Sequence, residues 1–77
     1  MNLEELKKLR EELNDIEFVD KKNKVRMFEL IDKIEKEGGL SEYDKEELLQ
    51  IMEDEEDVGK MLIEMGESVG EMIKENS

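Results

Sequence analysis

The sequence predicts an all-α fold, a small helical domain of three to four helices occupying residues 1–77 as one unit. Three observations predict it. Apolar residues recur three and four positions apart along most of the chain, which is the period of one helix face. No proline interrupts the 77 residues. Near the middle stands Gly38-Gly39, and glycine after a periodic run ends helices because it accepts the left-handed conformation cheaply.

The first helix begins at Asn2, a good N-cap residue. Leu6, Leu9, Leu13 and Ile16 follow at spacings of three, four and three, drawing one apolar stripe. Glu4 and Glu5 fall in its first turn, where the macrodipole favours acids. A second helix starts near Asp20. Its stripe is Val25, Phe28, Ile31 and Ile34, with Met27 and Leu30 on the margins. It stops at Gly38-Gly39.

Ser41 restarts the helix, with a hydroxyl able to cap free N–H groups and Asp44 at the capping-box distance. Ile51, Val58, Met65 and Met72 then stand seven apart. Leu48, Leu62 and Val69 hold the second seam position, with Glu55 the only acid on that seam. The heptad frame crosses the acidic run without a phase shift, so one long helix from about Ser41 to Glu75 is expected. The alternative is two helices meeting near Asp57, since stacked acids repel at i,i+4. Gly59, Gly66 and Gly70 each cost a helix interior about 1 kcal/mol relative to Ala. Close approach of another helix, or a kink, is the expected reason.

A core this small supplies only about 3–5 kcal/mol, and excess negative charge lowers it. A homodimer is therefore expected, with Leu48, Ile51, Val58, Leu62, Met65, Val69 and Met72 in its interface. Met52, Met61, Met65 and Met72 keep helical spacing and read as core or seam rather than as an adaptable groove.

Composition argues against several functions. The chain has no cysteine, no histidine and no threonine, and its serines are Ser41, Ser68 and Ser77. No common nucleophile–base pair can be assembled, so the expectation is a protein that is not an enzyme and carries no cofactor. Phe28 to Met52 has the outline of an EF-hand but fails its loop. Counting from Asp32, the positions that need oxygen ligands hold Ile34 and Lys36, the glycine position holds Glu37, and the final glutamate position holds Tyr43. No metal site is expected. No apolar run approaches the ~20 residues of a membrane span, and the N-terminus lacks a signal-peptide pattern. Cytoplasmic residence without membrane contact is the simplest expectation.

Charge points to the kind of partner. The formal net charge is −12, and residues 40–57 alone carry nine acids and one base, a net −8. Direct nucleic-acid binding is disfavoured, because phosphates must be neutralised by Lys and Arg. A local basic group, Lys21, Lys22, Lys24 and Arg26, is expected to pair with acids of the same chain or across a dimer. The candidate partner-binding residues are Glu42, Asp44, Glu46 and Glu47, with Glu53, Asp54, Glu55, Glu56 and Asp57. A solubilising face is the plain reading of such runs. Carboxylates at i and i+4, however, lie about 5–6 Å apart on one helix face. That is comparable to the phosphate spacing of duplex DNA.

In size, acidity and the runs Glu42 to Glu47 and Glu53 to Asp57, the chain resembles the small acidic proteins by which bacteriophages disable host nucleic-acid-binding proteins. These include DNA mimics that block the nucleoid protein HU. The resemblance implies a viral protein of host takeover, acting in the host cytoplasm. It implies a homodimeric inhibitor that occupies the DNA-binding surface of a basic, HU-like protein and displaces DNA. The cluster from Lys21 to Arg26 departs from a uniformly negative mimic. The competing expectation is a structural or regulatory module that pairs through its apolar stripe.

Overall fold

A computed structural model describes residues 3–65. Over these residues the chain is all-α: α1 (Leu3–Asp15), α2 (Lys21–Glu37), α3 (Glu42–Asp54) and α4 (Glu56–Met65). Each helix packs on the next in sequence. The last returns to the first, since Glu5 and Glu12 of α1 line one groove with Glu64 and Met65 of α4.

The helix ends follow from local chemistry. The predicted cap Asn2 lies outside the described residues. Asp20 caps α2 in extended conformation, its side chain accepting from the Lys22 N–H at 2.9 Å. Gly38 ends α2 with φ +81°, and its N–H donates to the Ile34 carbonyl. Only glycine takes that angle without strain. Ser41 caps α3, its hydroxyl accepting from the Asp44 N–H at 3.2 Å.

One core joins all four helices. Leu6, Leu9 and Leu13 enter from α1, and Met27, Leu30, Ile31 and Ile34 from α2. Leu40 enters from the α2–α3 linker, Leu48 and Ile51 from α3, and Val58, Met61 and Leu62 from α4. Met52 and Met65 are partly buried against it, so the described methionines at helical spacing pack on the core. Met72 lies outside the described residues.

On α2 the buried face is rotated from the expected one. Val25 is 62% exposed and Phe28 only half-buried, whereas Met27 and Leu30 are buried. The cause is that α2 is sandwiched between α1 and α3. Its apolar arc points between two neighbours, and Val25 falls over the edge.

The expected long helix is instead two helices. The alternative of two helices holds, and the break falls at Glu55, two residues before Asp57, with φ −118° and ψ 89°. The Glu55 N–H donates to the Ile51 carbonyl at 2.7 Å, closing α3. The Glu55 carbonyl accepts from Val58 at 3.0 Å and Gly59 at 3.2 Å, opening α4. A single residue thus ends one helix and begins the next. Gly59 permits the fold-back, because a Cβ there would stand 3.2 Å from the Met52 carbonyl oxygen. At Gly59 the expected close approach is made by α3 of the same chain; Gly66 and Gly70 lie outside the described residues.

This bend turns the described part of the expected dimer stripe toward the core of one copy. Leu48, Ile51, Val58 and Leu62 are all less than 8% exposed within one copy, and Met65 is partly buried against the same core. Val69 and Met72 lie outside the described residues. The heptad frame kept its phase because both halves of the elbow aim their apolar stripe at one shared core.

Candidate functional site

Helix α3 and the α3–α4 elbow hold the nine acids expected to meet a partner. The fold divides them. Glu42, Glu46, Glu53, Asp54, Glu56 and Asp57 are exposed, whereas Asp44 and Glu55 are buried and Glu47 is half-buried. The last three have partners inside the chain.

Asp44 is 4% exposed. Its carboxylate accepts from Lys33 Nζ at 2.9 and 3.1 Å and from Arg26 Nη2 at 3.2 Å. Glu47 pairs with Arg26 Nε. Of the basic cluster, Arg26 is therefore taken up within the chain, as expected. Lys21, Lys22 and Lys24 make no ion pair among the described residues. A buried charge is tolerated only when it is paired and hydrogen-bonded, and the Lys33–Asp44–Arg26 group meets that condition.

Among the described residues no cation pairs with Glu55. It is 2% exposed, and it accepts from the Val19 N–H at 2.6 Å, the Asp20 N–H at 3.0 Å and Asn23 Nδ2 at 2.8 Å. It places an anion at the start of α2, where the macrodipole is positive. Asp44 and Glu55 are thus withdrawn from the expected array and act as internal fasteners. Lys33 and Asn23, their partners, were not singled out by sequence. The one signal was that Glu55 is the lone acid on an apolar seam, a position that must be buried.

All three carboxyls sit below their ordinary range. For Asp44 the hydrogen bond from Lys33 dominates, opposed by burial and helped by Ser41 and Arg26. For Glu47 the Arg26 bond dominates, against burial, with help from Tyr43. For Glu55 burial is the largest influence and pushes upward, but Asn23, Val19 and Asp20 together outweigh it. A lowered folded pKa gives stability that is complete above the unfolded value, about 4 for these groups, and is lost as pH falls through the folded value. The stability advantage of the wild type over Asp44→Asn is therefore expected to be constant at neutral pH and to shrink below about pH 4. Urea unfolding across pH measures it, and an advantage that grows on acidification would contradict the assignment.

The six exposed acids differ in what holds them. Glu42, Glu56 and Asp57 lie in first turns, where acids stabilise the helix. Glu53 and Asp54 lie in the last turn of α3, which has no basic residue. There the dipole disfavours them by about 0.3–1 kcal/mol each. Lys21 and Lys22 occupy the first turn of α2, also against the dipole, and that turn has no acid. The Glu55 bonds bring these two ends together. The elbow therefore brings the acidic end of α3 and the lysine-bearing start of α2 to one corner without an ion pair between them among the described residues, while the outer face of α3 carries Glu42, Glu46 and Glu53 in one row. Lys60, 3.6 Å from Glu56, is the one cation in ion-pair range of the six exposed acids among the described residues.

Fold and site define a class: a small, strongly acidic chain with four helices among the described residues, whose buried acids serve the fold and whose exposed acids include six along α3 and its elbow. No protein-family model, curated protein or solved structure matches the chain. Among the described residues no helix is long and apolar enough to cross a membrane.

Proposed function

We propose that this chain is a non-enzymatic binding protein that acts as a DNA mimic, occupying the DNA-binding surface of a basic, nucleoid-type protein of its host. One observation carries the reading. After the chain's own cations and amides have taken Asp44, Glu47 and Glu55, six carboxylates remain exposed over α3 and the start of α4. Glu42 and Glu46 are one turn apart, about 6 Å along the axis, and Glu53 continues their row. A cationic groove shaped for phosphates meets a comparable spacing.

The net charge of −12 adds a long-range attraction that steers association and falls with salt. The rival module that pairs through an apolar stripe is less favoured, because the described part of that stripe, Leu48 to Met65, packs against the core of one copy. The homodimer expected from the same stripe is not required, since a single copy presents all six acids.

The test is competition. A labelled DNA duplex is bound to an HU-like basic protein, and anisotropy is followed as the chain is added. Displacement is expected at about 50 mM salt, weakening at least tenfold by about 200 mM. Protein–DNA complexes left intact by a large excess of the chain at low salt would refute mimicry.

A further inference from the structure

Asp54 closes one helix and Glu56 opens the next, with a single residue between them. Turning that residue from φ −118°, ψ 89° to ordinary helical angles would merge α3 and α4. The apolar positions on both sides already suit the merged form: Leu48, Ile51, Val58, Leu62 and Met65 occupy one helical stripe with only Glu55 between them. Merger would also let Val58 bond the carbonyl four residues back, in place of the Glu55 carbonyl it now uses at 3.0 Å.

The merged helix would outrun the core of one copy. Residues 42–65 would extend about 36 Å at 1.5 Å per residue, whereas the longest dimension of the domain is 28 Å. Val58, Met61 and Leu62, buried now, would swing away from their own core. The surface that fits them is the one they left, and a second copy offers it. Exchange of an identical element is a low-cost route to a dimer, and short hinges favour it.

We infer that the α3–α4 elbow is a hinge for domain swapping, through which α4 of one copy docks on the α1–α2–α3 core of a second copy of this chain. Glu55 is the latch of the closed form, tying the elbow to Val19, Asp20 and Asn23. Gly59 is its enabling residue. Within a bent elbow its missing Cβ admits the Met52 carbonyl oxygen at 3.2 Å, whereas a straight helix prefers alanine at that position. Alanine there acts in opposite directions on the two forms. This inference is independent of the binding reading above.

The experiment uses the full chain, refolded at about 1 mM and diluted for analytical ultracentrifugation. The wild type is expected to yield a slowly dissociating dimer, and Gly59→Ala to shift the equilibrium about tenfold further toward it. Glu55→Gln, which loosens the latch by removing its charge while keeping one carbonyl oxygen as an acceptor, is expected to shift it the same way, and stands in should Gly59→Ala not fold. Spin labels on Glu46→Cys and Ile63→Cys, in chains diluted with unlabelled protein, report the elbow itself. In the dimer the intrachain separation is expected to lengthen to about 26 Å, the span of a straight helix. A wild-type chain that remains monomeric after refolding at 1 mM overturns the inference. So does a dimer whose intrachain separation equals that of the monomer.

Discussion

Glu55→Ala is expected to remove most of the folding stability at 25 °C. The carboxylate serves three donors at once, two backbone N–H groups and one amide. Hydrogen bonds to a charged group each contribute about 1.5–3 kcal/mol, and buried donors left without an acceptor retain their desolvation cost. A total loss of about 3 kcal/mol or more is expected, against about 3–5 kcal/mol for a domain of this size. Glu55→Gln keeps one carbonyl oxygen and loses the charge, so about half that loss is expected. Glu56→Ala, next door and exposed, is expected to stay within about 0.5 kcal/mol. Far-UV circular dichroism through a urea titration, at low micromolar protein, separates the three variants. Equal midpoints for Glu55→Ala and Glu56→Ala would show that the buried carboxylate holds nothing together.

The contrast between Glu55 and Glu56 also marks how far the sequence could be read. Helix boundaries were legible where one residue type meets one local need, as Gly38 does by taking a positive φ and Ser41 by capping. The stripe of Leu6, Leu9 and Leu13 was legible because α1 has one buried side. The α2 face was misread toward Val25 because a helix between two neighbours needs an apolar arc that no single stripe describes. The elbow was hidden for a different reason. A straight helix facing a partner and a bent one facing its own core bury the same residues, so periodicity cannot separate them. Five consecutive acids look alike to composition, yet one is buried and four are exposed. What distinguishes Glu55 is the set of N–H groups around it, supplied by residues more than thirty positions away. The site was legible as a region of charge, and the fold decided which charges are free.

That division leads to the second large effect, in which binding and folding part company. Glu53→Lys with Asp54→Lys is expected to weaken capture of a basic DNA-binding protein about a hundredfold at low salt, from two carboxylates lost and two like charges placed against the partner. The effect should shrink as salt rises, because exposed charges are screened over about 10 Å. Folding is expected to respond differently. At the end of α3 two lysines meet the dipole favourably, while the α2 lysines brought to the same corner repel them. These opposed contributions leave folding stability within about 1 kcal/mol. The paired measurement is DNA competition and urea unfolding on the same preparation. A binding loss that merely follows unfolding would reduce these acids to a solubilising surface, and unchanged competition would remove them from the partner's footprint. A loss of competition in a fully folded protein would leave electrostatic recognition as its cause, since neither residue belongs to the core or to the network that fastens it.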